Sequence, residues 1–388
     1  MSILPARFSF SFPTPTLCGP GVISDLPGHL AELGVRRPLV VTDPGLLSTR
    51  AFQRLREVLG ASAQGTEWHL YSGVHPNPVE QDVRGAAESC VRVGCDGIIA
   101  FGGGSALDAG KAARILVRRP GLDLARFYDH SEWTGLLPLV AIPTTAGTGS
   151  EVGRSSVITL DSTGRKSVLF HRELLARRVF LDSELTFDLP AKLTAATGAD
   201  ALTHCIESFT CPAFHPLCDG IALEGIRLVV EALPRACANG RDVDARQKML
   251  VAAAMGAVAF QKDLGLVHSL AHPLSTLCGM HHGLANALCL SAGMKFCAER
   301  KPGLYRRVGQ ACGLKVEGLD DRQADAATLE FIGQFLGSLG LKGKLREHGA
   351  REDLLDALVL QAVDDPCHRT NAVPVSAEDF RLLYRELI

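Results

Sequence analysis

The sequence lacks the features that mark three classes of protein. No apolar run reaches the roughly 20 residues that a membrane-spanning helix needs. The opening residues, MSILPARFSFSFPTP, do not place an apolar segment after a charged one, so they do not predict a signal peptide. There is no cluster of basic residues, and the formal net charge is -2. We therefore expect neither a membrane nor a nucleic acid as a partner.

The cysteines also lack the spacing of a thiolate metal site. The chain has 12 cysteines, but none of them forms a C-x-x-C pair. Most lie among apolar residues, as reduced thiols do in the cores of cytoplasmic proteins. We expect a cytoplasmic protein, in which any bound metal is held by histidine and carboxylate side chains.

Strand and helix patterns alternate over the first half of the chain. Its 388 residues predict two domains. Short apolar runs predict strands, and amphipathic segments between them predict helices, which together indicate a parallel sheet in an α/β domain. The predicted strands are Leu39–Asp43, Glu67–Tyr71, Gly97–Phe101 and Leu139–Ile142, and the predicted helices are Ser48–Leu59 and Val79–Val93.

Beyond Asp182 the apolar residues recur with a helical period, and strand-like runs nearly vanish. We therefore predict an N-terminal α/β domain of residues 1–184 and an α-helical domain of residues 185–388. The predicted helices are Lys192–Phe209, Leu217–Leu233, Val243–Ala259, Gly283–Cys297, Ala324–Leu339 and Ser376–Leu387.

Histidines concentrate in one stretch, GLVHSLAHPLSTLCGMHHGLANA, at residues 265–287. His268 and His272 are four residues apart, so they share one face of a helix. Pro273 is expected to bend or end that helix, which would bring His281 and His282 back within reach. Imidazoles in an apolar frame are typical of a buried transition-metal site. Ordinary core or capping histidines are the alternative.

Asp200 and His204 form a second polar pair, one helical turn apart in the segment TGADALTHCIE. Alone, this pair fits a structural hydrogen bond better than a metal site. Combined with two histidines of the later stretch, it gives one carboxylate and three imidazoles. Such a set suits Fe²⁺ or Zn²⁺ and leaves room for a substrate oxygen.

Three further segments predict a dinucleotide site at the carboxyl ends of the strands. Glycines 102–104 and Ser105 link a strand to a helix start, where backbone N–H groups can bind a pyrophosphate, although the spacing is not G-x-G-x-x-G. Asp43 ends a strand, where it could bind ribose hydroxyls and repel a 2′-phosphate. The polar run at residues 142–152 offers hydroxyls to a ligand. The alternatives are a tight turn for the glycine loop, a capping role for Asp43 and a solvated loop for residues 142–152.

The sequence resembles the iron-containing (group III) alcohol dehydrogenase family. The resemblance spans nearly the whole chain and rests on FGGGSALDAGKA, AIPTTAGTGSEV, FLDSELTFDLP, LTAATGADALTHCIE and GLVHSLAHPL…HHGLANA, in that order. It implies a dinucleotide-binding α/β domain and an all-α domain, the architecture also known from dehydroquinate synthase. It further implies that cofactor and metal lie in the cleft between the domains.

The resemblance also implies roles for individual residues. Four metal ligands follow from it, namely Asp200, His204, His268 and His282. His272 matches a non-ligand histidine near the nicotinamide, which would relay a proton. The implied NAD contacts are Asp43, Asn77, Gly103, Gly104, Ser105, Thr144, Thr145, Thr148, Ser150, Val152, Lys166 and Leu185. His281 departs from the family, and residues 367–374 follow its Asn-Pro-Arg pattern only in part.

The implied activity is the interconversion of a small alcohol with its aldehyde or ketone. NAD would be the hydride carrier, Fe²⁺ the metal with Zn²⁺ as the alternative, and the protein a homodimer or higher homo-oligomer. The segment Ala259–Gly265 resembles a branch with hydroxy-acid dehydrogenases, so a diol or an ω-hydroxy acid such as 4-hydroxybutyrate is a candidate substrate. Lys262 could meet its carboxylate, or it could simply be solvated. A dehydroquinate synthase-like lyase and a non-catalytic sensor are the alternative functions.

Overall fold

Six short strands pair in parallel into one sheet in this computed structural model, which describes residues 9–11, 14–61 and 66–388. The strands within these residues are β1 (Thr16–Cys18), β2 (Pro38–Val41), β3 (His69–Tyr71), β4 (Gly97–Gly102), β5 (Leu139–Pro143), β6 (Ser155–Thr159), β7 (Lys166–Phe170) and β8 (Arg178–Leu181). The order across the sheet is β1-β8-β5-β4-β2-β3, and β6 and β7 form a separate antiparallel pair. The predicted parallel sheet is confirmed.

Helices connect the strands of this sheet, as expected for an α/β fold. They are α1 (Leu26–Glu32), α2 (Arg50–Gly60), α3 (Glu80–Val93) and α4 (Gly104–Arg118). Every residue of β2, β4 and β5 is buried, which is typical of parallel strands that are covered on both faces. The apolar runs that predicted these strands therefore reflect the core of the sheet.

The register of the two central strands brings two loops together. Gly102 at the end of β4 pairs with Pro143 at the end of β5, and the backbone N–H of Thr144 donates to the Gly102 carbonyl at 2.9 Å. Because parallel strands end at the same edge of a sheet, the glycine loop and the threonine-rich run begin side by side.

The remainder of the chain is helical. Its helices are α5 (Ala191–Thr210), α6 (Pro216–Ala238), α7 (Val243–Ala259), α8 (Leu266–Cys278), α9 (His282–Arg300), α10 (Arg306–Ala311), α11 (Asp321–Ser338), α12 (Leu355–Asp364) and α13 (Ala377–Leu387). The predicted helical character of this region is confirmed, although α6 passes through Pro234 and extends beyond its expected end at Leu233.

The chain folds into two compact units. Pro13–Leu189 and Gly240–Ala254 belong to the α/β unit, whereas Pro190–Asn239 and Met255–Ile388 belong to the helical unit. The functional division between residues 184 and 185 stays a prediction. Within the described parts of the chain, no single helix is long and apolar enough to cross a membrane. One pair bent by 112°, Val243–Lys262 and Leu266–Cys278, meets that length and composition test only when taken together.

Candidate active site

Helix α5 presents three polar side chains on one buried face. Asp200, His204 and Glu207 are spaced four and three residues apart, so they point in the same direction from the helix. All three are at most 5% exposed. Such burial is expected only for polar groups with specific partners, since an isolated buried charge is costly. This face is therefore one wall of the candidate site.

Helix α8 supplies two further histidines. His268 is buried and His272 is partly exposed. Pro273 was expected to bend or end this helix, and the second alternative is wrong, because α8 runs through Pro273 to Cys278. A proline removes only one helical N–H donor, and the surrounding residues of α8 are buried. Both histidines precede Pro273 and lie on α8, which continues past the proline.

Helix α9 begins with His282, and a glycine sets its approach to α5. A Cβ atom at Gly283 would clash with the carbonyl of Ala196 and would lie 3.2 Å from the Cβ of Asp200. Only glycine therefore permits this close helix crossing. As a result, the His282 Nε2 atom lies 3.5 Å from the Asp200 Oδ1 atom.

The four predicted ligands come together in the helical unit. One donor atom from each of Asp200, His204 and His268 lies within 4.8 Å of the other two. The His204 and His268 rings stack with centroids 4.8 Å apart, and His282 reaches the same carboxylate. Three imidazoles and one carboxylate are a donor set that fits Fe²⁺ or Zn²⁺. His281, in contrast, is an exposed residue at the N-terminal cap of α9.

Glu207 orients one of these histidines, a role that the sequence reasoning missed. Its carboxylate lies 2.5 Å from His268 Nδ1 and accepts the backbone N–H of Val267 at 2.6 Å. A carboxylate bound to Nδ1 leaves Nε2 for a metal. Burial disfavours charge on His268, but the hydrogen bond and charge of Glu207 raise the pKa of this imidazole above its ordinary value. The helical spacing of Glu207 from Asp200 and His204 was the sequence signal that could have indicated this role.

Asp365 holds His272 in a similar way, from a distant part of the sequence. Its Oδ2 atom lies 2.6 Å from His272 Nδ1, while Oδ1 accepts from the Ser269 hydroxyl at 2.7 Å and the Cys367 backbone N–H at 2.9 Å. Burial opposes ionisation of Asp365, yet these hydrogen bonds hold its pKa well below the usual range. No spacing signal connects Asp365 with a histidine 93 residues earlier.

His272 also faces a predicted metal ligand. Its ring stacks on that of His282, with centroids 5.2 Å apart and an interplanar angle of 14°. Since Nδ1 is engaged by Asp365, Nε2 is the nitrogen left for proton exchange. His272 thus lies beside the ligand cluster while being held by a carboxylate of its own.

In the α/β unit, the glycine loop is packed against the threonine-rich run. A Cβ atom at Gly104 would lie 2.7 Å from the Thr148 side chain, and one at Gly103 would lie 3.5 Å from Thr145. Gly102 has a φ of +147°. Helix α4 begins at Gly104, so its first N–H groups, including that of Ser105, are directed out of its N-terminus. These loops form a concentrated group of backbone and hydroxyl donors.

Asp43 caps a turn at the end of β2. Its Oδ1 atom accepts the Gly45 N–H at 2.9 Å, and Oδ2 would lie 3.5 Å from a Cβ atom at Gly102. The aspartate therefore has the capping role that was the alternative in the sequence reasoning, and it also lies next to the glycine loop. Its contact with a ribose stays a prediction.

The other predicted cofactor contacts include one neighbouring pair and several buried residues. Asn77 has a left-handed φ of 55° and accepts a hydrogen bond from Lys166 Nζ at 2.8 Å, so these two are neighbours. Ser150 is buried, and its hydroxyl lies 2.5 Å from Asp108 and 2.8 Å from Lys111 Nζ. The remaining contacts, Thr144, Val152 and Leu185, are buried. Their contacts with NAD stay predictions.

Lys262 is buried rather than solvated, and its ammonium group has partners within the protein. Its side chain is 2% exposed, and Nζ lies 2.5 Å from Asp219 Oδ1 and 3.1 Å from the Phe209 carbonyl. The ammonium group is therefore engaged in a buried ion pair.

The chain matches known proteins over most of its length. Residues 13–183 match the model of "iron-containing alcohol dehydrogenase", and residues 194–388 match "Fe-containing alcohol dehydrogenase family, C-terminal". The chain is 40% identical over 380 residues to 4-hydroxybutyrate dehydrogenase of Cupriavidus necator, covering 94% of this chain and 96% of that protein.

Two solved structures share the fold over nearly their full length. A 1,3-propanediol oxidoreductase superposes with a TM-score of 0.93 at 31% identity, covering 99% of this chain and 100% of that one. Sulfoacetaldehyde reductase from Bifidobacterium kashiwanohense, solved with NAD⁺, has a TM-score of 0.87 at 26% identity and covers 98% and 99% of the two chains. The protein is an alcohol oxidoreductase that belongs to the iron-containing alcohol dehydrogenase family.

Proposed function

We propose that this protein is a metal-dependent, NAD-linked alcohol dehydrogenase that interconverts a small alcohol with its aldehyde or ketone. The observation that carries the proposal is the buried cluster of Asp200, His204 and His268, completed by His282. Family membership supports alcohol oxidation rather than the chemistry of a lyase.

The four clustered side chains would hold Fe²⁺, with Zn²⁺ as the alternative. A divalent ion bound there supplies a Lewis acid for the substrate oxygen. Glu207 presents His268 through its Nε2 atom, because it engages Nδ1. Asp200, His204 and His268 are buried, which strengthens their electrostatic interactions.

His272 would move the proton that alcohol oxidation releases. Asp365 accepts a hydrogen bond from Nδ1, so the neutral ring carries its lone pair on Nε2 and can accept a proton there. The charge of Asp365 then stabilises the imidazolium. The pair therefore has the orientation and the charge that a general base requires.

The glycine loop and its neighbours would bind NAD. Bound NAD supplies the hydride acceptor. The N-terminus of α4 and the Thr148 side chain beside it would bind the pyrophosphate. Asp43 beside Gly102 would bind the ribose hydroxyls and repel the 2′-phosphate of NADP. The NAD⁺ complex of the sulfoacetaldehyde reductase supports this cofactor.

Small diols and ω-hydroxy acids are the proposed substrate class. The support is the 40% identity to a 4-hydroxybutyrate dehydrogenase and the similarity to a 1,3-propanediol oxidoreductase. We do not assign the substrate carboxylate to Lys262, because its ammonium group already pairs with Asp219.

We further propose a cytoplasmic homodimer or higher homo-oligomer. All 12 cysteines are free thiols, which fits a reducing compartment. Light scattering coupled to gel filtration measures the oligomeric state directly, and a monomeric mass would contradict this part of the proposal.

The deciding experiment combines metal analysis with a substrate panel. The purified protein is stripped, reconstituted with Fe²⁺ or Zn²⁺, and assayed with simple alcohols, diols and ω-hydroxy acids. We expect NAD reduction only in the reconstituted protein. Net NADH production also separates a dehydrogenase from a lyase that regenerates its NAD in every cycle.

Two histidine variants provide the matched comparison. His268→Ala removes a proposed ligand and should abolish both metal retention and turnover. His281→Ala removes the exposed neighbour of His282 and should retain both. Full metal content and full activity in His268→Ala would contradict the proposed site.

A further inference from the structure

We propose that Asn286 is a positioning residue of the metal site. Its side-chain amide holds three of the four ligands in the arrangement that a cation requires. This inference rests on the metal site proposed above, but it concerns a residue outside the ligand set.

Asn286 lies one turn after His282 on α9 and is fully buried. Its amide nitrogen donates to Asp200 Oδ1 at 2.7 Å and lies 3.2 Å from both His268 Nε2 and His282 Nε2. One amide group thus contacts the carboxylate and two imidazoles through the atoms that face the cluster.

The tautomer of His268 determines the direction of one of these contacts. Glu207 engages Nδ1, so the Nε2 atom carries a lone pair and accepts from the amide N–H. The amide therefore directs a partial positive charge at the lone pair that a cation would use. Asn286 would release the histidine nitrogens when metal binds, and it can keep its hydrogen bond to Asp200.

The amide is poorly explained by packing alone. Among the residues that the structure describes, no donor lies within hydrogen-bond distance of the buried Asn286 Oδ1 atom. A buried acceptor without a partner lowers stability, and a leucine of similar size would avoid this cost. The feature that an apolar side chain cannot reproduce is the pair of N–H groups directed at the ligands.

The test measures metal affinity in two variants of similar side-chain size. Asn286→Leu removes the amide, and Asn286→Asp replaces it by a second carboxylate beside Asp200. Thr328→Val is the control, because it removes a different buried polar group, a hydroxyl that donates to the Ala324 carbonyl at 2.8 Å on α11. Co²⁺ is the probe, since its visible absorption reports the ligand geometry and chelator competition gives its Kd.

Asn286→Leu should weaken Co²⁺ binding by about 10- to 100-fold, the usual cost of losing a residue that orients metal ligands, and should alter the absorption bands. Asn286→Asp should lower the Tm of the metal-free protein through repulsion by Asp200. Co²⁺ should then raise its Tm by more than it raises that of the unsubstituted protein. Thr328→Val should keep the original Kd.

A Kd and an absorption spectrum for Asn286→Leu that match those of the unsubstituted protein would overturn the inference. Failure of the proposed function gives a different result. In that case the unsubstituted protein itself would not bind Co²⁺ at this site. Its Co²⁺ titration would then be the same as that of the His268→Ala variant.

Discussion

Replacing Asp365 by asparagine should prevent the Nε2 atom of His272 from accepting a proton, while leaving the rest of the site intact. The Oδ1 atom of Asp365 accepts two donors, the Ser269 hydroxyl and the Cys367 N–H, whereas Oδ2 faces His272 Nδ1. The amide oxygen of the introduced asparagine would therefore stay with the two donors, and its NH₂ group would face the imidazole. His272 Nδ1 must then accept, which places the ring proton on Nε2 and blocks that nitrogen as a base.

The expected loss follows from what a positioned base contributes. General acid–base catalysis typically accounts for about 10²- to 10⁴-fold in rate, which corresponds to about 3–5 kcal/mol in the activation free energy. We expect kcat for alcohol oxidation to fall by this factor, while KM changes little because the substrate-binding groups are unaltered.

The assay is steady-state kinetics at saturating NAD, with metal content measured on the same samples. Ser269→Ala is the matched control: it removes one donor to Asp365 but leaves the acceptor for His272, so its kcat should fall by no more than about tenfold. A kcat for Asp365→Asn close to that of the unsubstituted enzyme, at full metal content, would refute the proposed role of the pair.

Three further outcomes are expected. Asp43→Gly should raise kcat/KM for NADP relative to NAD by roughly 10- to 100-fold, because the charge that repels the 2′-phosphate is removed; an unchanged ratio contradicts this role. Burial raises the pKa of Glu151 to about 7, against the opposing influence of its own backbone N–H and Lys111. The folded state therefore binds a proton that the unfolded state releases above pH 4.5, so stability should fall by about 3 kcal/mol between pH 4.5 and 7; in urea unfolding, Glu151→Gln should lack this decline. A chelator should lower the Tm of the metal-loaded protein, since a bound ion stabilises only the folded state; an equal Tm with and without chelator speaks against a metal held by His204 and His268.

Elements with a strong local signal could be predicted from the sequence. The buried runs of β2, β4 and β5 are nearly continuous in apolar residues, and α7 has the predicted bounds, Val243–Ala259. In contrast, β1 has only three residues and is partly exposed, so it produces no such run. The antiparallel pair of β6 and β7 was also missed, because β6 buries only every second residue and β7 buries only one.

The candidate site shows a similar division. Histidines four residues apart can be recognised by helical spacing, but the residues that hold them cannot. Asp365 reaches His272 across 93 positions, and Lys262 is neutralised by Asp219 across 43. Pro273 was expected to bend or end a helix, and that helix continues past it. These contacts depend on how helices pack against each other, and the local spacing of residues in the sequence does not predict that packing.

The glycine at position 283 makes this centre difficult to transplant. Its missing side chain lets α9 lie against the backbone of α5 at Ala196, which places His282 beside Asp200. A designed helical scaffold that copied the four ligands but carried alanine here would hold the two helices further apart. Its histidine would then fall short of the aspartate, so a graft of this centre must reproduce a helix crossing as well as a set of donor atoms.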